Sequence, residues 1–183
     1  MSPRVVVCGA GVIGAAVASA LARRGAPPVL VDRRGPAAAA SGSASGFLAA
    51  DWSAGTPLDA ISRAGFAMHR ALAEELGAER IGHRPLEVIS AASAESADLE
   101  PYRRLPTPPW LDGRVVAHEV IGTPQTTAQV DPRALTRALA QDAVDRGGRL
   151  VTGVVDGLDL ADDGAVRGVS IDGAVEPCDA VVL

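Results

Sequence analysis

Lysine is absent from this 183-residue chain: its 17 basic residues are all arginine, and against 22 acidic residues they leave a formal net charge of −5. That balance carries no overall electrostatic footprint for nucleic acid, which needs a basic face. The missing lysine, beside abundant alanine and glycine, reads as a GC-rich coding bias. Aromatic residues are nearly as scarce: two Trp, two Phe and one Tyr. The two cysteines, Cys8 and Cys178, sit far apart in apolar runs and read as small buried hydrophobes, not as a disulfide or metal pair. His69, His83 and His118 have no ligand spacing, so no metal site is expected. No apolar stretch reaches the roughly 18–20 residues that span a bilayer. An opening strand at Arg4 leaves no room for a signal or transit peptide. These absences point to a cytoplasmic protein with neither membrane nor nucleic acid as partner.

What is present begins with a core: 48% of the residues are apolar, enough for one good-sized domain or one and a half small ones. The strongest local pattern is residues 4–34, RVVVCGAGVIGAAVASALARRGAPPVLVDRR. Arg4–Cys8 is a short, continuous, valine-rich run, as suits a strand buried on both faces. Gly9, Gly11 and Gly14 follow as G-x-G-x-x-G. From Val12 and Ile13 onward the residues form a helix, closed by Gly25. Val29–Val31 makes a second strand that ends at Asp32, 18 residues after Gly14.

That order of parts has a physical meaning. Gly9 permits a tight turn out of the strand, Gly11 lets a diphosphate approach the backbone, and Gly14 lets the helix lie close to the sheet. The helix N-terminus offers unpaired N–H groups and partial positive charge. Asp32 is placed to accept hydrogen bonds from ribose hydroxyls, with Arg33 beside it. A dinucleotide is therefore expected. Asp32 would repel a 2′-phosphate, which disfavours NADP, while FAD and NAD both fit.

An NAD-binding domain would continue with a helix and a third parallel strand. Residues 33–52 instead read RRGPAAAASGSASGFLAADW. Ala37–Ala40 are expected as one helical turn. Ser41–Gly46 then offer hydroxyls and close backbone approach, as in a second phosphate- or ring-binding loop. With the G-x-G-x-x-G and acid before it, the Ala-Ser-Gly-x-x-x-Gly loop at 40–46 resembles the FAD-dependent oxidoreductases of the D-amino-acid oxidase, glycine oxidase and sarcosine oxidase group. The resemblance implies FAD as cofactor, with Ser41 and Gly42 near its pyrophosphate. It also implies that Gly46, Phe47 and Leu48 pass along the isoalloxazine, and that Val155 meets the adenine through its backbone.

Further along, Thr56 and Pro57 read as the cap and first residue of a helix. Its stripe Leu58, Ile61, Gly65, Met68, Leu72 and Leu76 is expected to pack in the core. Residues 84–90 and 114–122 read as strands of a second sheet, and 126–130 as a further short strand. Asp131 and Pro132 open a second well-marked helix, ended by Gly147. Residues 149–155 read as a strand returning to the first sheet. Asp163-Gly164 and Asp172-Gly173 are hairpin turns of a meander.

The expected class is α/β. Residues 1–50 and 148–183 form a Rossmann-like FAD-binding domain with its βαβ unit and meander, and 51–147 form part of an α+β substrate domain. The chain ends on the apolar strand CDAVVL, where the resembled family continues for a roughly equal length. The expectation is thus an N-terminal portion with the C-terminal half absent, truncated or encoded separately. The implied activity is oxidation of an amine or amino-acid C–N bond by hydride transfer to flavin N5. Two alternatives are a NAD-dependent dehydrogenase and a non-catalytic nucleotide-binding or scaffold fragment. No catalytic residue is assigned; Asp51, Trp52 and His69 are the substrate-side candidates.

Overall fold

Three consecutive valines open the fold. Branched side chains favour extended backbone, and Val5, Val6 and Val7 are all buried in β1 (Val5–Cys8). The computed structural model describes residues 2–95 and 98–183. After β1 come α1 (Val12–Arg23), β2 (Val29–Asp32), a 3₁₀ turn at Ala40–Gly42 and β3 (Phe47–Ala49). Then follow α2 (Asp59–Leu76), β4 (Arg84–Pro85), β5 (Val88–Ser93), β6 (Val115–Gly122) and β7 (Thr127–Gln129). The last elements are α3 (Pro132–Asp145), β8 (Arg149–Thr152), β9 (Val155–Leu160), β10 (Val166–Ile171), β11 (Ala174–Pro177) and β12 (Ala180–Val182). Among the described residues no helix is long and apolar enough to cross a membrane.

Two compact units divide the chain: Met1–Gly46 with Leu76–Gly82 and Asp131–Leu183, and Phe47–Glu75 with His83–Val130. In the first, β12, β1, β2 and β8 form a parallel sheet in that order. Parallel strands must be covered on both faces. One face carries the antiparallel meander β9-β10-β11, and Val6, Val31, Val169 and Cys178 form a core cluster with Cys8 packed against it. Both cysteines are free, and burial pushes both thiols up from their ordinary range. Small buried residues on α1 (Ala15, Ala18, Ser19, Ala22) let α3 pack closely against it through Leu135, Ala138 and Leu139.

That packing places α3 in the first unit, whereas the sequence grouped 131–147 with the middle of the chain. Phe47–Ala50 go the other way, because β3 pairs with β7. The strand expected at 149–155 breaks at Gly153, whose N–H donates to the Asp32 carbonyl at 3.1 Å, and β9 starts afresh at Val155. The meander turns fall where expected, with Gly164, Asp172 and Gly173 all at positive φ.

The second unit holds a small antiparallel sheet, β3-β7-β4, the β5–β6 pair and most of α2. The single strand expected at 84–90 is two: β4 joins β7, and β5 pairs with β6. The chain changes partner at Leu86, whose carbonyl accepts from the buried Thr127 hydroxyl at 2.7 Å. Helix α2 starts at Asp59, later than the Thr56 signal, because Thr56 Oγ1 accepts from Leu58 N–H and closes a turn instead. Its expected stripe is out of phase. Leu58, Ile61 and Met68 are 61%, 69% and 65% exposed, while the less exposed face runs through Ser62, Phe66, His69, Ala73 and Leu76.

Candidate dinucleotide site

At the C-terminal tips of β1 and β2, three glycines set the backbone. Gly9 has φ +103°, a conformation that side chains oppose, and its N–H donates to Val31 O at 2.6 Å. A Cβ on Gly14 would run into the Gly9 carbonyl oxygen, so α1 sits as close to the strand end as backbone allows. Gly11 is the N-cap of α1, extended and without a side chain to offer, and no acidic residue occupies the first turn. The N-terminal amides of α1 are therefore served from outside the helix.

Ser41 does this. Its Oγ accepts from Val12 N–H at 2.9 Å, across 29 positions of sequence. The loop that delivers it folds back on β1: Ala37 N–H donates to Ala10 O at 3.0 Å, with Ala37 at φ +61°. This tie replaces the helical turn expected at Ala37–Ala40 by a left-handed residue and a 3₁₀ turn starting at Ala40. Gly42 has no room for a side chain, since a Cβ would meet the Ala37 carbonyl oxygen. Arg133 of α3 holds the loop from behind, donating to Gly42 O at 3.2 Å.

Asp32 braces the same tip. One carboxylate oxygen accepts from Ala10 N–H at 2.9 Å; the other accepts from Arg34 N–H at 2.8 Å and Gly35 N–H at 3.0 Å. Burial acts to raise its pKa, but these three N–H bonds and the Arg34 charge outweigh it and hold the carboxyl below its ordinary value. Two cavities meet at Asp32 and Arg33. One is bordered also by Gly11, Arg34 and Ser41, and the other by Cys8, Gly9, Gly153 and Val155.

The first unit thus brings together Gly9, Gly11, Val12, Gly14, Asp32, Arg33, Ser41 and Val155. Ile13 stands beside them at 79% exposure, Gly42 is in the loop and Gly46 turns the chain at φ +73°. Phe47 and Leu48 belong to the second unit, in β3. There Phe47 pairs with Trp52 at 4.8 Å between ring centroids, and Trp52 Nε1 donates to Ile121 O at 2.7 Å. His69 Nδ1 lies 2.8 Å from Gly65 O, one turn back on its own helix. Ala10 and Arg133 were missed by sequence reasoning, in which Arg34 counts with Arg33 only as a pair that softens the case against a 2′-phosphate or is merely solvated. Ala10 and Arg133 act through tertiary hydrogen bonds that leave no local signal, whereas Arg34 was visible beside Arg33.

The match to known proteins covers nearly the whole chain. A family model described as FAD dependent oxidoreductase (DAO) matches residues 4–183. Glycine oxidase from Bacillus cereus ATCC 14579 is similar over 98% of this chain and 56% of its own, at 24% identity and TM-score 0.76. Glycine oxidase from Geobacillus kaustophilus gives 98% and 55%, at 25% identity and TM-score 0.74. Iminodiacetate oxidase from Chelativorans sp. BNC1 gives 97% and 54%, at 22% identity and TM-score 0.70. The chain spans little more than half the length of these proteins. By its sequence pattern, its parallel sheet and the family match, the chain belongs to the DAO family of FAD-dependent oxidoreductases.

Proposed function

We propose that the first unit holds the adenosine diphosphate portion of FAD, and that the protein serves oxidation of an amine or amino-acid C–N bond. The observation that carries this reading is the Ser41–Val12 hydrogen bond, which joins the serine loop to the glycine-lined tip of α1. The residues present suit the group. Gly11 caps the helix without a side chain, first-turn carboxylates are absent, and Asp32 sits at the end of β2. Gly11 would admit the diphosphate to the backbone, with Gly9 and Gly14 setting the turn and the close approach of α1, Ser41 would donate its hydroxyl proton to it, and Asp32 would face the ribose. Val155 would border the adenine. When bound, FAD supplies the two-electron acceptor for the oxidation. Relatives named for glycine and iminodiacetate support a small amine or amino acid as substrate class.

The NAD-dependent alternative has less support, because no helix–strand unit follows β2 in the parallel sheet and β8 takes the place beside it. The test is a parallel titration of the protein with FAD and NADH. Saturable FAD binding with a perturbed flavin spectrum, lost in Gly11→Val, is expected. A protein that stays colourless after reconstitution with FAD overturns the proposal, and preferential NADH binding supports the alternative. Nucleotide binding that survives Gly11→Val would mean that the α1 tip is not the site.

A further inference from the structure

The diphosphate of FAD carries two negative charges, and a helix N-terminus offers only about half a positive one. Residues 35–46, which make up the serine loop, contain no charged side chain. Among the residues bordering the cavity with Gly11 and Ser41, the cations are Arg33 and Arg34. The two differ in reach. Arg33 also borders the cavity beside Val155, whereas Arg34 borders only the one at the α1 tip.

Among the described residues neither Arg33 nor Arg34 is paired with a carboxylate, and of these two cations it is Arg34 whose cavity border is confined to the α1 tip. Elsewhere in the first unit Arg4, Arg23, Arg146, Arg149 and Arg167 each pair with a carboxylate. Arg34 and Asp32 border the same cavity at the α1 tip, and the charge of Arg34 helps to lower the Asp32 carboxyl. Yet Asp32 is already held by three backbone N–H groups, one of them from Arg34 itself. Among the described residues the Arg34 guanidinium makes no ion pair. Its planar set of donors matches phosphate oxygens in pairs.

We propose that Arg34 binds the cofactor's diphosphate and supplies the cation that the serine loop lacks. This rests on the flavin reading above. Asp32 keeps its three N–H bonds when the guanidinium engages phosphate.

The test titrates FAD and ADP onto the full chain and onto Arg34→Ala and Arg34→Lys, at low and high salt, with urea unfolding as a control. Arg34→Ala is expected to weaken both ligands by about 10- to 100-fold, the range for charge-assisted hydrogen bonds. It should flatten the salt dependence of binding while leaving the urea midpoint in place, and Arg34→Lys should recover part of the affinity. Unchanged FAD affinity in Arg34→Ala overturns the assignment and leaves the flavin reading standing. So does a loss with unchanged salt dependence and no recovery by lysine, which marks a merely structural role. ADP binding that depends on Arg34, with no FAD binding, keeps the assignment and sinks the flavin reading. If neither ligand binds the parent chain, both fall.

Discussion

Helices α1 and α3 lie side by side in one unit, yet their N-termini are finished in opposite ways. At α3 the cap is local: Asp131 accepts from Ala134 N–H at 2.9 Å, and Pro132 fills the first position, where no N–H is needed. At α1 the cap is Gly11, which offers nothing, and a hydroxyl arrives from Ser41 instead. The third helical position differs too. In α3 it is Ala134, while in α1 it is Gly14, where even a methyl group would strike the Gly9 carbonyl. One terminus is closed by its own sequence and serves stability. The other has no side-chain cap of its own and receives a hydroxyl from a neighbouring loop, an arrangement that suits the proposed anion-binding tip.

The contrast can be broken most severely at Gly14. Gly14→Val would force backbone apart and should cost about 3 kcal/mol or more, read as a drop in urea midpoint with loss of nucleotide binding. Next comes the lock between the two helices. Asp142 accepts from Ser19 Oγ at 2.6 Å, Arg23 Nε at 2.9 Å and Arg146 Nε at 3.0 Å. With the carboxylate mostly buried but both arginines partly exposed, Asp142→Ala should cost about 2 kcal/mol, less than a fully buried pair would. Burial works to raise the Asp142 pKa, but the bonds from Ser19, Arg23 and Arg146 prevail and lower it. A depressed carboxyl stabilises the fold above its unfolded pKa of about 3.9, and that contribution disappears as pH falls through the lower folded value. Thermal melting below about pH 4 should therefore fall more steeply with acid in the parent chain than in Asp142→Asn.

The two caps themselves separate the roles. Asp131→Ala should lower stability by about 1 kcal/mol with FAD affinity unchanged, seen by pairing urea unfolding with a flavin titration. Ser41→Ala should do the reverse, with a smaller shift in urea midpoint and about tenfold weaker FAD binding, the lower end for one hydrogen bond to a charged group.

Legibility from sequence followed the range of the forces. The β1–α1–β2 unit could be read because strand, glycines, helix and acid are contiguous, and the Asp131 cap because its partner is three residues away. The loop at 37–42 could not. Ala37 is left-handed because its N–H reaches Ala10, and nothing local in a run of alanines announces that bond. Periodicity correctly marked α2 as a helix but gave the wrong phase, since its apolar residues outnumber the positions that are covered. Leu58, Ile61 and Met68 share a spacing with Leu76 without sharing its burial. At the site, the glycines and Asp32 carried a pattern. The loop's tether to Arg133 emerges only from placement in space.

The most direct test is amide NMR of the isotopically labelled chain during an FAD titration, comparing the two helix tips. Saturable shifts at Gly11, Val12 and Gly42, with Ala134 at the α3 tip unmoved, are the predicted result. Binding that leaves Val12 and Gly42 unshifted would place the nucleotide elsewhere and contradict the account.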